Sequence, residues 1–201
     1  MARVHVALFT TGYPFVDAAV RAIELSRRHG AGFSRSIGEP FSVRRDRFVR
    51  WFLETDLTHA LLLDGDVVPP EDALERLLDV GAPIATAAYP QWIDDRLYAN
   101  VQAAGGRTWA ETVPAARFPV SRCLLGCVLV QREAFAAMSA PWFMATMTAT
   151  RFVTDDEWFC ARAAQAGQTI VCDGAVMCAS LRQGTNLLVL AGRDIAGPVS
   201  R

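Results

Sequence analysis

Two aspartates bracket a glycine at Asp64-Gly65-Asp66, directly after the apolar run His59-Ala60-Leu61-Leu62-Leu63 and directly before Val67-Val68-Pro69-Pro70-Glu71. A short apolar run with polar flanks reads as a buried strand. Side chains alternate along an extended chain, so Asp64 and Asp66 project to the same side, and the glycine leaves the backbone open to a ligand. Carboxylate oxygens combined with phosphate oxygens suit a hard divalent cation such as Mg²⁺ or Mn²⁺. The pair sits at a strand's carboxyl end, where α/β sheets keep their ligands. The chemistry expected is a cation held against a diphosphate.

A second group of acids lies at Thr154-Asp155-Asp156-Glu157. Thr154 and Glu157 have the spacing of a capping box, which makes Asp155 and Asp156 the first helical residues. Acids belong at helix N-termini on dipole grounds alone, so position on the helix must separate the two. Asp156 precedes Phe159, Cys160 and Ala163 at i+3, i+4 and i+7 and heads the apolar stripe. It is the candidate for a catalytic or acceptor-binding role, with Asp155 nearer the flank. Arg45 relates in the same way to Phe48, Val49 and Phe52 in a helix that Ser42 is placed to cap. Its planar fork suits either a buried ion pair or an anionic ligand. Arg44, Arg47 and Arg50 diverge from that stripe and are expected in solvent.

These side chains need a scaffold. Val4 to Phe9 reads as a first buried strand, Thr10 to Pro14 as a turn, and Val16 to Arg28 as a helix. Gly32 to Ile37 is a second strand, followed by the Arg45 helix to Glu54, the strand before the aspartates, a helix from Pro70 to Asp79, and a strand at Ile84 to Ala88. Alternating strands and helices predict an α/β domain with a mostly parallel central sheet and helices on both faces. Tyr89 to Pro119 has no clean period and reads as loops with one or two short strands. Cys123 to Val130 reads as one buried strand, which puts Cys123 and Cys127 on one face. A helix from Arg132 to Met138 follows, then an irregular segment, the Asp156 helix stopped by Gly167, and strands near Thr169–Cys172 and Val176–Cys178.

Composition narrows the chemistry. The 201 residues, 52% hydrophobic and 20% charged, describe one ordinary globular domain. A net charge of −1 offers no electrostatic footprint for nucleic acid. All 20 basic residues are arginine, which removes Schiff-base chemistry, a P-loop lysine and any lysine general base. The 5 cysteines form no Cys-x-x-Cys pair and sit in apolar stretches, so a reducing, cytoplasmic setting is expected. His5, His29 and His59 are scattered without metal-ligand spacing. No apolar run reaches the length of a membrane span, and Val4 to Phe9 is too short for a signal peptide.

Four segments in order resemble the GT-A fold glycosyltransferases, closest to glycosyltransferase family 2. They are Arg45-Asp46, the run Thr58 to Asp66, the run Leu124 to Phe135, and Thr154 to Arg162 with Ala166-Gly167 behind it. The resemblance spans Val4 to Ser180. It implies a single GT-A (Rossmann-like) domain over residues 1–190, with a nucleotide-binding half at 1–88, an acceptor-side half at 89–190, and a frayed tail at 191–201. The implied reaction is hexosyltransferase-like: a sugar moves from a nucleotide-diphosphate donor, a UDP-sugar first, to an acceptor hydroxyl with Mn²⁺ or Mg²⁺. Asp64 and Asp66 would match the family's DxD motif, with Asp66 the direct metal ligand. Asp155-Asp156 occupies the place of a Glu-Asp pair whose second acid is the general base in inverting members. Thr10, Thr11 and Tyr13 fall where the family contacts the nucleotide base, and Arg45-Asp46 where an Arg-Asn pair is often seen.

One departure concerns the metal. The family's histidine ligand has no counterpart in Val176-Met177-Cys178-Ala179-Ser180-Leu181, which leaves Ser180 or water to complete the coordination. Two other readings remain open. A nucleotidyltransferase shares the architecture but expects a basic, glycine-rich loop after the first strand, whereas Thr10-Thr11-Gly12-Tyr13-Pro14 has one glycine and no cation. A non-catalytic sugar-nucleotide-binding domain would account for the missing histidine.

Overall fold

Val4–Thr10 is buried along its whole length, His5 and Thr10 included, as a strand covered on both faces must be. The computed structural model describes residues 2–93, 96–106, 108–181 and 187–188. The first half runs β1 (Val4–Thr10), α1 (Val16–Arg28), β2 (Gly32–Ile37), α2 (Phe41–Glu54), β3 (His59–Asp64), β4 (Val67–Val68), α3 (Ala73–Val80) and β5 (Ile84–Ala88). Short strands β6 (Pro90–Ile93), β7 (Arg96–Ala99) and β8 (Val101–Ala103) follow, then β9 (Arg117–Cys123), β10 (Cys127–Gln131) and α4 (Arg132–Ala137). The chain continues through β11 (Thr146–Met147), β12 (Phe152–Val153), α5 (Asp155–Gln165), β13 (Ile170–Met177), β14 (Ala179–Ser180) and β15 (Leu187–Leu188).

The central sheet has 8 strands in the order β2-β1-β3-β10-β5-β13-β9-β8. The pairings leave β10 and β9 opposed to the other six, so six strands run one way as the alternation of elements predicted, but the two opposed strands make four of the seven pairings antiparallel and the sheet is mixed. Strand β10 inserts between β3 and β5, and the two halves of the chain therefore share one sheet. Period-2 alternation sends side chains to two cores. Val6, Leu8, Leu61, Leu63, Ala85 and Ala87 pack with Ala22 and Leu25 of α1 and Leu74 and Leu77 of α3. Ala7, Phe9, Ala60, Leu62, Val128 and Val130 pack with Phe48, Val49 and Phe52 of α2, Phe135 of α4 and Phe159 of α5.

The second core sets the geometry of the site. Phe52 meets Phe135 at 6.0 Å between ring centroids, Phe135 meets Phe159 at 6.1 Å, and Phe159 stacks on Phe143 at 5.0 Å. Aromatic contacts of this kind add about 0.5–1.5 kcal/mol each beyond area burial. They tie α2, α4 and α5 together on one face, and so hold the start of α2 opposite the start of α5.

Several local expectations are corrected. Ser42 lies inside α2, which begins at Phe41 after Pro40 with no side-chain cap. Proline before the first turn fixes the chain's entry and replaces the expected hydroxyl cap. Residues 123–130 are two strands, because the chain turns at Leu124-Leu125-Gly126. Cys123 and Cys127 consequently face opposite cores. The stretch after Tyr89 holds more strand than expected, in β6 to β8 and the start of β9, because tertiary pairing supplies what local pattern lacks. Strands expected near Thr169–Cys172 and Val176–Cys178 merge into one irregular β13. The expected tail at 191–201 lies outside the described residues. All 5 cysteines are buried free thiols. Among the described residues no helix is long and apolar enough to cross a membrane.

Candidate active site

The carboxyl end of β3, the loop after β1, the start of α2 and the start of α5 meet around one cavity of ≈ 430 Å³. Thr10, Thr11, Tyr13, Arg45, Asp64, Gly65, Asp66, Asp155 and Asp156 all line it. Every residue expected at the site except Ser180 is therefore brought together. Ser180 is buried, pairs with Val67 and is not among the lining residues. Its strand does back the Asp64-Gly65-Asp66 turn, since the Leu181 N–H donates to the Asp66 carbonyl at 2.7 Å.

Arg45 sits at the centre of the acids. Its Nη2 donates to Asp64 Oδ1 at 2.6 Å, and its Nη1 to Asp155 Oδ2 at 2.9 Å and Asp156 Oδ1 at 3.0 Å. The Arg45 side chain is 2% exposed, whereas those of Asp64, Asp155 and Asp156 keep 21%, 14% and 19%. The guanidinium is sealed beneath, and the carboxylates face the cavity. Of the two roles open to Arg45, the structure displays the buried ion-pair partner. Its ring neighbour is Phe41, with the Arg45 guanidinium carbon 4.9 Å from the ring centroid.

The electrostatics follow from crowding. Burial raises the Asp64 pKa, and the neighbouring Asp66 and Asp155 add to the rise against the pull of Arg45. Burial likewise pushes Asp156 up, opposed by Arg45 and reinforced by Asp155 and Asp64, to about 7. Burial disfavours charge on Arg45, yet Asp64, Asp156 and Asp155 outweigh it and its pKa is raised. The four aspartates of the cavity carry more negative charge than one arginine neutralises.

Gly65 lines the cavity, and it has a packing reason besides the open approach expected of it. A Cβ there would lie 2.8 Å from Thr10 Cβ and 3.1 Å from Pro14 Cβ, so the missing side chain makes room for the β1–α1 loop. Phe15 N–H donates to the Gly65 carbonyl at 2.9 Å, and Gly65 N–H to the Phe9 carbonyl at 2.8 Å, which clamps that loop beside the aspartates.

Some of the machinery carried no sequence signal. Phe15, Phe41, Ala145, Phe152 and Thr154 also line the cavity. Ala145 and Phe152 arrive with the β11–β12 hairpin and its approach, a short pairing that local periodicity does not announce. Beneath the cavity, buried Tyr89 accepts a hydrogen bond from Gly126 N–H at 3.0 Å. The same turn sends Leu125 N–H to Asp156 Oδ1 at 3.3 Å and receives Asp64 N–H at the Gly126 carbonyl at 3.0 Å. Asn100 anchors the other side, its Oδ1 accepting Tyr89 N–H at 2.9 Å and its carbonyl accepting Leu124 N–H at 2.8 Å.

Arg44 and Glu157 depart from expectation. Arg44 is 3% exposed rather than solvated. Its Nη1 donates to the Thr10 carbonyl at 2.8 Å and to the Ser36 carbonyl, and so satisfies two strand-end acceptors that helix periodicity cannot reveal. Arg47 and Arg50 are exposed as expected. Only half of the capping box forms: Thr154 Oγ1 accepts Glu157 N–H at 3.3 Å. The Glu157 carboxylate goes instead to Arg151, at 2.5 and 2.6 Å, and to Arg122 at 3.0 Å, because two cations outcompete one backbone donor.

No protein-family model matches the sequence, and no curated protein matches it by sequence. Solved structures do match its shape. A197 from STIV superposes with a TM-score of 0.70 at 17% identity, over 98% of each chain. Apo UDP-glucose pyrophosphorylase gives 0.52 at 8% identity over 90% of this chain and 93% of that one. The UDP-glucose pyrophosphorylase solved with UDP-glucose gives 0.51 at 9% identity, over 89% and 93%. The likeness establishes the fold: an α/β domain with one large central sheet flanked by helices, shared with A197 and with UDP-glucose pyrophosphorylase.

Proposed function

We propose that the cavity binds a nucleotide-diphosphate sugar and that the protein is a glycosyltransferase, moving the sugar to an acceptor hydroxyl. The observation that carries this reading is the convergence of Asp64, Asp66, Asp155 and Asp156 on one cavity, beside the loop Thr10-Thr11-Gly12-Tyr13. A structure of similar fold is solved with UDP-glucose, which supports a UDP-sugar as the donor to test first.

Among the described residues no group of three or more His, Cys, Asp or Glu side chains makes a closed metal cage. The donor set fits another arrangement: Mg²⁺ and its like are commonly held by one or two carboxylates and completed by substrate phosphates and water. Asp64 and Asp66 would hold Mn²⁺ or Mg²⁺ in that way, and the surplus negative charge around Arg45 favours a dication. When bound, the ion supplies charge neutralisation to a departing diphosphate. Arg45 holds Asp155 and Asp156 in place, and Asp156, its pKa raised to about 7 chiefly by burial, accepts the proton of the acceptor hydroxyl. The aromatic side chains of Tyr13 and Phe15 provide apolar wall beside the donor.

Nucleotidyl transfer is the second reading, favoured by the fold likeness to UDP-glucose pyrophosphorylase. Against it, the only cation lining the cavity among the described residues is Arg45, already committed to three aspartates. A triphosphate substrate needs more positive charge than that. A non-catalytic sugar-nucleotide-binding domain is the third.

The test is thermal stabilisation by UDP-, GDP- and dTDP-sugars with and without Mn²⁺, followed by product analysis. Release of nucleoside diphosphate from the sugar nucleotide supports glycosyl transfer. Release of pyrophosphate from a nucleoside triphosphate and a sugar phosphate supports nucleotidyl transfer, and binding without turnover supports the third reading. No stabilisation by any donor overturns the proposal.

A further inference from the structure

The β11–β12 hairpin walls the active-site cavity where the chain enters α5. Met147 pairs with Phe152 and Thr146 with Val153. Directly paired residues share one face of a hairpin, and alternate residues of an extended chain return to the same face. Met147 and Phe152 are therefore side by side. Thr154, still extended as the N-cap of α5, lies two residues beyond Phe152 on that side. Ala145 lies two residues before Met147. Ala145, Phe152 and Thr154 all line the cavity, and Met147 carries the same face outward past the lining.

That face is apolar where it is open. Phe152 is 55% exposed and Met147 71%. The one charged side chain of the hairpin, Arg151, is taken up by Glu157 at 2.5 and 2.6 Å, and neither residue lines the cavity. The turn between the strands closes on itself: Thr148 N–H donates to the Arg151 carbonyl at 2.9 Å, and Thr148 Oγ1 accepts Arg151 N–H at 3.1 Å. The hairpin thus offers a braced apolar surface, while the charges of the cavity belong to Arg45 and the aspartates.

We propose that this face is the acceptor subsite, and that the acceptor carries an apolar group, alkyl or aryl, beside its reacting hydroxyl. The inference rests on the glycosyl-transfer reading. With the donor's base at Thr10, Thr11 and Tyr13, a hydroxyl that reaches Asp156 leaves the rest of its molecule against the segment leading into α5. Phe152 then covers the group next to the hydroxyl, and Met147 covers the part that emerges from the cavity. Burial of this open apolar surface drives the contact, and the flexible thioether adapts to the shape it meets. A wholly polar acceptor would draw nothing from Met147.

The test uses the full chain carrying ¹³C-methyl methionine and two probes that differ only in their alkyl group, methyl and octyl β-glucoside. The octyl probe is kept below its micelle-forming concentration. The chain has 5 methionines, and Met147→Leu identifies the Met147 signal. The octyl probe should shift that signal saturably and bind about tenfold or more tightly than the methyl probe. Met147→Asp and Phe152→Ser should each erase most of that difference at an unchanged melting temperature. Donor binding is scored separately on the wild type, by stabilisation with UDP-, GDP- and dTDP-sugars and Mn²⁺. A saturable Met147 response without donor stabilisation would support the apolar subsite and overturn the glycosyl-transfer reading. Donor stabilisation with no Met147 response, or with equal affinity for the two glucosides, would overturn this inference and leave that reading standing. Co-sedimentation with phosphatidylglycerol vesicles that Met147→Asp abolishes would also overturn it, making the face a membrane contact.

Discussion

Arg45 and Asp64 meet at 2.6 Å, and the other arm of the same guanidinium spans Asp155 and Asp156 at 2.9 and 3.0 Å. One buried cation thus joins the end of β3 to the start of α5, two elements far apart in sequence. The aromatic ladder through Phe52, Phe135 and Phe159 brings the helices to this spacing, and the ion pairs then fix the side chains.

Removing the cation should therefore unfold more than it frees. Arg45→Met keeps apolar length but leaves three partly buried carboxylates without their partner. Breaking a buried ion pair on one side costs about 3–5 kcal/mol, and the residual exposure of the acids favours the lower end. Urea unfolding at pH 7 measures the loss. Because the orphaned acids can be neutralised by protons, the deficit should shrink at pH 5. A deficit that stays the same at both pH values would contradict the electrostatic account.

Asp156→Asn should do the reverse in the unliganded protein. Folded Asp156 has its pKa raised from 3.8 to about 7. Below the unfolded value both states are protonated and the residue costs nothing. Between the two values the unfolded state ionises first, so stability falls as pH rises, and the cost is complete above the folded value. The asparagine variant escapes this cost and retains an oxygen for Leu125 N–H and Arg45. Its melting temperature should match wild type near pH 4 and exceed it increasingly up to pH 8, while the proposed glycosyl transfer should fall by about 10²–10⁴. A melting difference independent of pH would show that Asp156 titrates normally.

How much of this was legible beforehand depended on range. Asp64, Asp66, Arg45 and Asp156 were readable because each sits at a fixed offset from its own apolar stripe, and a stripe fixes which way its neighbours face. Arg44 was misjudged for the same reason: one residue off the stripe, it bends back to carbonyls of Thr10 and Ser36, partners that belong to two other strands. The break between Cys123 and Cys127 was hidden because Leu124-Leu125-Gly126 is apolar, and only the sheet order shows that β9 and β10 are not neighbours. Tyr89 and Asn100 gave no local signal at all, since the hydrogen bonds by which they hold the turn at residues 124–126 reach more than twenty residues along the chain.

Gly65→Ala tests whether the glycine between Asp64 and Asp66 serves the loop or the ligand. The added methyl would press on Thr10 at 2.8 Å and Pro14 at 3.1 Å, both part of the β1–α1 connection. Overpacking of this kind costs about 1–3 kcal/mol. The expected variant is folded but destabilised, with weaker donor binding because Thr10, Thr11 and Tyr13 shift together. Unchanged stability with lost donor binding would instead return the glycine to its ligand-facing role.

Tyr89→Phe isolates the support beneath the site. The ring stays and the core keeps its volume, but Gly126 N–H loses the oxygen it donates to at 3.0 Å. Burial, with Asp64 and Asp156 nearby, raises the Tyr89 pKa well above its ordinary value, so the hydroxyl keeps its proton and remains a polar anchor at any working pH. An unsatisfied buried donor costs about 1–3 kcal/mol, which chemical denaturation resolves. The same turn presents Leu125 N–H to Asp156 and the Gly126 carbonyl to Asp64 N–H, so loosening it disturbs both carboxylates without touching the cavity wall. Under the proposed function, turnover should fall more than donor affinity, because a donor would still find Thr10, Thr11 and Tyr13 while Asp156, the proposed base, loses its fixed position. If stability drops by the expected amount and turnover does not change, Tyr89 supports the fold alone and Asp156 is held well enough by Arg45.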